Sequence, residues 1–378
     1  MNQLTTNEKY DLIVKDLQEC YGTDILKKII DKRPLNIYWG TAPTGRIHIG
    51  YFVPLLSLAN MLKAGCHVTI LIADLHALLD NLKSNEKQVE QRSLYYKTMI
   101  QEMLKILSVD ISQVTFIQGT SYQLDPAYTF DMHRLNTLTT LTNAKRAGAE
   151  VVKQSDNPAM SGLSYPILQA LDEVHLRADA QFGGIDQRKI FMYAREYLPK
   201  LSSNRFDKSL KYNKRIHLMN EMVPGISTSK HEKKDDVEDD VEDDEEGDAG
   251  ISNKMSATNE KSKIDILDGN KSIRTKISSA YCLPGDDVDN SLIVILEKVL
   301  FKIMDHRGEK FTVNRKEEHG GTLIFDNIDQ VRTAYNTEKL HPDDFKNGIS
   351  SYLISLFGPI RETFADKELT KLVNSAYK

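Results

Sequence analysis

Residues 40–51 are the part of the chain best suited to contact with a phosphate group. Their sequence is GTAPTGRIHIGY, at the end of a predicted strand. A P-loop would require Gly, four residues, Gly-Lys and then Ser or Thr, whose hydroxyl is a magnesium ligand. Arg46 and Ile47 stand at the last two positions, and isoleucine cannot hold the metal. The P-loop is therefore excluded, and His48, an imidazole donor that opens a predicted helix, is the candidate phosphate ligand.

A second candidate for phosphate binding is Lys254-Met255-Ser256, just beyond an acidic run. A lysine on a mobile loop can bring a point charge to a leaving pyrophosphate. The two segments lie roughly two hundred residues apart. In this order they resemble the His-Ile-Gly-His and Lys-Met-Ser-Lys-Ser signatures of class I aminoacyl-tRNA synthetases. Tyr51 departs from the first signature, and residues 257–258 (Ala-Thr) depart from the second.

Three polar side chains share one face of a helix that is predicted to open at Pro166. Tyr165, Gln169 and Asp172 lie at positions i, i+4 and i+7. Spacing alone favours an amphipathic helix with a solvated polar face. The alternative is a substrate pocket, which a family resemblance would have to support.

Longer runs narrow the resemblance to the tyrosyl-tRNA synthetases of eukaryotes and archaea. The similarity covers about residues 8–378, apart from the acidic insertion. It is carried by residues 38–42 (YWGTA), 72–77 (IADLHA), 148–154 (GAEVVKQ), 181–189 (QFGGIDQRK), 223–225 (VPG) and 340–347 (LHPDDFKN).

The resemblance implies an α/β fold, with a Rossmann-like parallel-sheet catalytic domain followed by an α-helical anticodon-binding domain. We expect the catalytic domain at residues 1–268 and the helical domain at 269–378. Within the first, a connective and dimer insertion is expected at about 110–165. An acidic, disordered insertion is expected at about 227–252, before the lysine loop at 254–258.

The resemblance also implies the roles of the site residues. Asp172 and Tyr38 would bind a tyrosine hydroxyl, while Tyr165, Gln169 and Gln187 would surround its ammonium group. Asp74 and His76 follow a predicted strand, where open α/β sheets hold ligands, and are added to this pocket. The catalytic candidates are His48, Lys254 and Ser256; the candidates for ATP binding are Gly40, His48, Gly50, Asp186, Lys254, Met255 and Ser256; those for tRNA binding are Arg188, Lys189, His319 and Asp344.

The implied chemistry is activation of L-tyrosine by ATP and transfer to the 3′ end of tRNA(Tyr). The tyrosine carboxylate is already ionised, so alignment and charge stabilisation should supply the rate. Mg²⁺ would arrive with ATP and leave with pyrophosphate, and no metal bound by the protein itself is expected. The resemblance further implies a homodimer.

The elements that must position these residues follow from hydrophobic periodicity. Strand–helix–strand order over residues 35–73 predicts parallel pairing with a right-handed crossover. Strands are predicted at 35–39, 66–73, 114–117 and 216–219, and helices at 7–32, 48–63, 85–107, 129–153, 164–174, 184–197, 272–281, 288–304, 326–336, 342–357 and 366–376.

The net charge of −5 arises from one acidic segment, and the rest of the chain is basic. Residues 235–248 contain eleven Asp and Glu among fourteen residues, so the rest of the chain carries +6. A mildly basic protein permits an RNA partner without proving one. The acidic run itself is interpreted as a solvated spacer, with phosphate mimicry at the active-site mouth as the alternative.

The chain is expected to be cytoplasmic. No apolar run approaches the ~18–20 residues that span a membrane, and the first six residues show no secretory signal. The three cysteines, Cys20, Cys66 and Cys282, are far apart and form neither a zinc pair nor a disulfide framework. Such cysteine usage fits a reducing compartment.

The sequence leaves two other functions open. A tryptophanyl-tRNA synthetase would share the fold and both signatures, but it would need an apolar pocket floor and an acceptor for the indole nitrogen. A non-catalytic RNA-binding or signalling protein could also retain the fold. The presence of His48, Gly50 and Lys254 beside the tyrosine set argues against it.

Overall fold

A computed structural model describes residues 4–80, 85–151, 159–203, 213–226, 255, 262–288 and 290–377. The chain divides into two compact units. Unit 1 comprises Met1–Thr44, Ser57–Glu221 and Lys371–Lys378, and unit 2 comprises Gly45–Leu56 and Met222–Thr370. The predicted acidic insertion, Lys254 and Ser256 lie outside the described residues.

Unit 1 is built around a six-stranded sheet. The strand order is β1-β6-β5-β2-β3-β4, with β1 antiparallel to β6 and the other neighbours parallel. The predicted α/β class with a parallel sheet is confirmed. The strands are β1 (Leu17–Tyr21), β2 (Asn36–Thr41), β3 (His67–Ile72), β4 (Val114–Gln118), β5 (Ala180–Gly184) and β6 (Ile216–Asn220).

Helices make up most of the remaining regular structure. Their boundaries are α1 (Thr6–Val14), α2 (Thr23–Ile30), α3 (Phe52–Lys63), α4 (Asp74–Leu79), α5 (Glu86–Ile106), α6 (Thr120–Gln123), α7 (Pro126–Leu138), α8 (Leu141–Gly148), α9 (Met160–His175), α10 (Arg188–Tyr197), α11 (Asn270–Ser279), α12 (Ser291–Ile295), α13 (Phe301–Arg307), α14 (Ile328–Asn336), α15 (Pro342–Phe364) and α16 (Lys367–Ala376).

The predicted strand–helix–strand unit is confirmed as β2, α3 and β3. Tyr38 pairs with Thr69 in a parallel ladder that runs the length of both strands. The sheet is buried, since Ile37, Ile70 and Leu71 are at most 1% exposed. Parallel strands present their carboxyl ends at one edge, so the segments after β2, β3, β4 and β5 emerge on the same side of the sheet.

The prediction of one helix over residues 7–32 is wrong. The segment forms α1, the edge strand β1 and α2. Asp16 has a φ of +61° and Gly22 a φ of +81°, so a left-handed residue stands at each break. Aspartate and glycine are the residues that tolerate this region, and the backbone direction changes at both.

The helix predicted at 129–153 is also wrong, because it is two helices, α7 and α8. Thr139 and Thr140 between them are extended. The helix predicted at 164–174 begins earlier, at Met160, so Pro166 lies inside α9 and does not open it. The sequence prediction also missed strand β5.

Helix α9 is buried on every side in its second half. Tyr165 through Val174 are all buried, including the polar face of Gln169 and Asp172. A solvated face, favoured by spacing alone, is therefore excluded. Buried polar side chains require hydrogen-bond partners, and α9 is consequently the helix around which a polar site is built.

Unit 2 is mostly helical, and it contains a hairpin that was not predicted. The hairpin joins β7 (Phe311–Val313) and β8 (Leu323–Phe325). Helices α12 and α13 are continuous through a π-helical turn at Leu296–Leu300. In the described part of the chain, no helix has the length and apolar character that crossing a membrane would require.

Candidate active site

The carboxylate of Asp172 lies at the centre of a buried polar cluster in unit 1. Its side chain is on α9 and is 1% exposed. The Oδ1 atom accepts three hydrogen bonds, from the Tyr122 hydroxyl at 2.7 Å, the Gln123 amide at 2.8 Å and the Tyr128 hydroxyl at 3.0 Å. Helices α6 and α7 supply these donors, which were not among the predicted site residues.

The other oxygen of Asp172 is unsatisfied. Among the described residues Oδ2 has no hydrogen-bond partner, and neither has either ring nitrogen of His76, a side chain 2% exposed. His76 Nε2 lies 3.8 Å from Oδ2, too far for a hydrogen bond. Its ring packs edge-on against Tyr165, with 4.8 Å between ring centroids. These buried polar atoms are therefore able to hydrogen-bond a ligand that enters the cluster.

Burial sets the charge of both groups. Burial raises the pKa of Asp172 to about 7. The hydrogen bonds from Gln123, Tyr122 and Tyr128 oppose this shift, because they favour the ionised form. Burial lowers the pKa of His76 to about 4, so the imidazole is neutral near pH 7. The two groups are therefore not an ion pair, and His76 offers one N–H donor and one lone pair.

Tyr38 lies in the same interior as Asp172. Its side chain is 1% exposed. Burial raises the pKa of the Tyr38 hydroxyl well above its usual value, and the charge of Asp172 adds to the shift. The hydroxyl donates to the backbone oxygen of Gln169 at 3.2 Å. Its lone pairs therefore remain available to a ligand.

The end of β5 brings the two predicted glutamines together. Gln169 on α9 donates from its amide to Oε1 of Gln187 at 2.8 Å. Gly183 makes room for Gln187, because a Cβ at Gly183 would come within 2.7 Å of that same oxygen. Asp186 lies in the 3₁₀ turn between β5 and α10. The predicted set Tyr38, Tyr165, Gln169, Asp172, Gln187 and His76 thus surrounds one region of unit 1.

Asp74 has a structural role in the same region. One oxygen accepts from the backbone of Leu75 and of Thr120, and the other from Gln118 and the Thr120 hydroxyl. The carboxylate therefore holds the start of α6, which carries Tyr122. Its assignment to the tyrosine pocket stays a prediction.

Unit 2 contains the His48 loop. His48 Nδ1 accepts from the backbone N–H of Gly50 at 3.2 Å, so the neutral ring carries its hydrogen on Nε2. Burial, and then the positive charge of Lys263, lowers the pKa of His48 to about 3. The imidazole is thus a neutral, preoriented Nε2–H donor over the whole physiological pH range.

Residues 264–266, which follow the predicted lysine loop, are hydrogen-bonded to the His48 loop. Ile49 donates to the backbone oxygen of Ile264 at 3.0 Å, and Ile266 donates to that of Ile47 at 3.2 Å. Met255, buried to 4% exposure, donates from its backbone to Val223 at 2.7 Å. The segment that follows Lys254 and Ser256 in the chain is thus hydrogen-bonded to both neighbours of His48, Ile47 and Ile49.

Two glycines predicted to contact ATP differ in their packing. A Cβ at Gly50 would lie 3.0 Å from both Cε1 and Nδ1 of His48, so glycine is needed here for the imidazole to keep its place. Of the atoms that the structure describes, the nearest to a Cβ at Gly40, on β2, would be in Leu71 at 3.7 Å. Packing against these residues does not require glycine at position 40.

The residues predicted to bind tRNA are at the surface or only partly buried. Arg188 forms an ion pair with Glu19 at 2.9 Å and donates to the Tyr21 hydroxyl, while Lys189 pairs with Glu150 at 3.0 Å. His319 is exposed in the hairpin loop of unit 2, and Asp344 lies in the first turn of α15. In the described ranges, no group of three or more His, Cys, Asp or Glu side chains is arranged to hold a metal.

Comparisons with known proteins identify the family of this chain. The family described as tRNA synthetases class I (W and Y) matches residues 31–236 and 247–358. A protein of Danio rerio named cytoplasmic tyrosine--tRNA ligase is 43% identical over 99% of this chain and 64% of its own length. One of the same name from Saccharomyces cerevisiae is 43% identical over 98% of this chain and 88% of its own length. The chain thus spans slightly less than two thirds of the zebrafish relative.

Solved structures share the fold. Tyrosyl-tRNA synthetase from Pyrococcus horikoshii, complexed with L-tyrosine, superposes with a TM-score of 0.86 at 22% identity and covers 99% of both chains. The enzyme from Archaeoglobus fulgidus, also complexed with L-tyrosine, gives 0.76 at 28% identity over 95% of this chain and 99% of its own.

Proposed function

We propose that this chain, which belongs to the family of class I tRNA synthetases for tryptophan and tyrosine, is a tyrosine--tRNA ligase. Its similarity to proteins named cytoplasmic tyrosine--tRNA ligase supports this proposal. It would activate L-tyrosine with ATP and transfer it to tRNA(Tyr). The observation that carries the proposal is the unsatisfied Oδ2 of buried Asp172, which faces His76 in the interior shared with Tyr38.

Tyrosine fits this pocket better than tryptophan or phenylalanine. A phenol hydroxyl donates one hydrogen and accepts another, so it can serve Oδ2 of Asp172 and either the His76 N–H or the Tyr38 hydroxyl. An indole N–H can only donate. Phenylalanine would leave the carboxylate desolvated and unpaired. Sites that hydrogen-bond a substrate hydroxyl reject the analogue without it by roughly 10⁴–10⁵, and tyrosyl-tRNA synthetases are themselves the known example.

The amino-acid backbone would lie toward the glutamine pair. Tyr165, Gln169 and Gln187 provide a hydroxyl and two amide oxygens, which suit an ammonium group. The carboxylate of the bound tyrosine would then attack the α-phosphorus of ATP in line. No catalytic base is required, because the nucleophile is already ionised.

His48 would stabilise the phosphate charge that develops in this step. Its neutral Nε2–H is fixed by the Gly50 N–H···Nδ1 bond, so it needs no reorganisation. We assign Lys254 and Ser256 to the leaving pyrophosphate, for which Mg²⁺ bound to ATP would serve as the counter-ion. Gly40, Gly50, Asp186 and Met255 are assigned to the adenosine portion.

Replacing Gly50 by alanine should lower the rate of activation about tenfold or more, with little change in KM for tyrosine. The added Cβ would push the His48 ring from its place. Steady-state pyrophosphate exchange measures both constants. Gly269→Ala is the matched control, because a Cβ there meets no atom of the described residues within 4 Å and the backbone has an ordinary φ of −69°. Equal losses in the two variants would contradict this role.

Transfer to RNA is assigned to the surface residues. Arg188 and Lys189 would contact the acceptor stem, and Asp344 would hydrogen-bond the first anticodon base, on which His319 would stack. The proposed domains are residues 1–268 for catalysis and 269–378 for anticodon binding. The relatives are named as cytoplasmic, and we propose the same compartment for this chain.

A homodimer is proposed on an exposed apolar surface of unit 1 within the predicted insertion. Its side chains are between 41% and 74% exposed, and they lie directly after α6 and on α7, α8 and α9. Several large apolar side chains exposed within one predicted region are candidates for an interaction site in a soluble protein. The surface consists of Leu124, Phe130, Leu138, Leu141 and Met160.

Replacing Phe130 by aspartate should convert the dimer to a monomer, because a charge would be buried unpaired in the interface. Light scattering after size-exclusion chromatography gives the mass directly. Ile324→Asp is the control: this side chain is 60% exposed in β8 of unit 2 and should leave the mass unchanged. A wild-type monomer, or a dimeric Phe130→Asp variant, would contradict the assignment.

The proposed activity is tested by pyrophosphate exchange with tyrosine and tryptophan side by side. Exchange with tyrosine alone is the expected result. Exchange with tryptophan would favour the tryptophanyl enzyme, and no exchange with either would favour a non-catalytic protein.

A further inference from the structure

Asp172 has a strongly asymmetric environment. All three of its side-chain donors meet one oxygen, and none meets the other in the part of the chain that the structure describes. We call Tyr122, Gln123 and Tyr128 the donor set. We propose that they are positioning residues, which create tyrosine specificity by reserving one oxygen of Asp172 for the substrate hydroxyl. This inference rests on the proposed function.

The physical reason lies in the two-fold symmetry of a carboxylate. The terminal torsion of aspartate is soft, so its two oxygens exchange roles unless their partners differ. Bonds from neutral donors to a charged oxygen are among the stronger ones in proteins. Three such bonds on Oδ1 fix the plane of the carboxylate and leave Oδ2 as the acceptor that faces His76.

The donor set is held independently of Asp172. Asp74 binds the first residue of α6, Thr120, and so anchors the short helix that carries Tyr122 and Gln123. The side chain of Gln123 folds over Gly119, where a Cβ would lie 2.5 Å from its Oε1. The donors are therefore in place before any ligand binds.

Tyr128 has an anchor of its own. Its ring packs on His175, with 4.7 Å between centroids, and His175 is paired with Asp131 at 3.2 Å. The hydroxyl hydrogen is shared with the backbone oxygen of Leu168 at 2.8 Å. Tyr128 should therefore be the weakest of the three donors to Asp172.

The donor set also favours the ionised form of Asp172. An ionised, oriented carboxylate strongly penalises phenylalanine, which would leave it unpaired, whereas a neutral or rotated carboxyl group penalises it less. Loss of a donor should thus weaken selection for tyrosine specifically, and not activity toward amino acids in general.

The test is the ratio of kcat/KM for tyrosine to that for phenylalanine in pyrophosphate exchange. Tyr122→Phe and Gln123→Leu should each lower this ratio about 10- to 100-fold, and Tyr128→Phe by less. Tyr193→Phe is the matched control, because this buried hydroxyl of the neighbouring helix α10 bonds Thr139 at 2.6 Å and not Asp172. The control should leave the ratio unchanged.

Thermal melting establishes that each variant is folded. If every folded variant of the donor set keeps the wild-type ratio, the inference is overturned. A wild-type protein without tyrosine-dependent exchange would instead refute the proposed function, so the two failures are distinguishable.

Discussion

Replacing Asp172 by asparagine should lower kcat/KM for tyrosine by about 100-fold or more. It should also reduce the ratio of kcat/KM for tyrosine to that for phenylalanine. The amide oxygen of asparagine can still accept from Tyr122, Gln123 and Tyr128, which places its NH₂ group where Oδ2 now stands. A donor would then face the substrate hydroxyl in place of a charged acceptor. Pyrophosphate exchange with both amino acids measures the effect.

The same substitution should stabilise the fold at alkaline pH. Burial raises the pKa of Asp172 from 3.8 to about 7, so the folded state binds this proton more tightly than the unfolded state. The stabilising contribution is fully present below about pH 4 and is lost as pH rises through about 7. Asp172→Asn should therefore melt above the wild type at pH 8, with a smaller difference at pH 5.

Asp179→Asn is the control for a buried carboxylate. Asp179 accepts two bonds from Arg33 and one from the backbone of Asn36, so its loss should destabilise the protein without changing the preference for tyrosine. If Asp172→Asn were destabilising to the same degree at pH 8, Asp172 would be a structural carboxylate and not a binding one.

The second large effect is expected at His48. His48→Ala should reduce kcat for activation by about 10²–10³ with little change in KM for tyrosine, because the lost Nε2–H acts on charge that develops in the transition state. Glutamine carries an amide N–H at a similar reach, so His48→Gln should retain part of the rate. An equal loss of kcat in both variants would indicate that His48 matters only as the cap of its loop.

The pH profile gives an independent check on His48. Since burial lowers its pKa to about 3, the imidazole does not titrate in the assay range. The rate at saturating tyrosine should therefore show no acid limb from His48 above about pH 5. A limb near pH 6.5 that disappears in His48→Gln would contradict the neutral-donor role.

Hydrophobic periodicity predicted those parts of the fold in which neighbouring residues determine the secondary structure. The apolar runs of β2 and β3, separated by a helix, gave the parallel core of unit 1 correctly. The pattern failed over residues 7–32, where apolar spacing fits a helix but left-handed Asp16 and Gly22 break the chain. Neither break is visible in periodicity, because the pairing of β1 with the distant β6 decides it.

The site shows the same division. Asp172 was identified by resemblance, and its burial excludes the solvated face that spacing favoured. Tyr122, Gln123 and Tyr128 were missed, although they follow a strand that was predicted at 114–117. The carboxyl end of a parallel strand is where ligand-site residues gather, and inspecting the segment after it would have drawn attention to them. That all three meet one oxygen is a tertiary fact, which no spacing encodes.

The most direct test is a crystal structure of the protein with L-tyrosine bound. The phenolic oxygen should lie within about 2.5–2.8 Å of Asp172 Oδ2, with Oδ1 still held by Tyr122, Gln123 and Tyr128. A phenolic oxygen that contacts neither Asp172 nor His76, or an Asp172 that turns Oδ1 to the ligand, would refute the assignment of Oδ2 to the tyrosine hydroxyl.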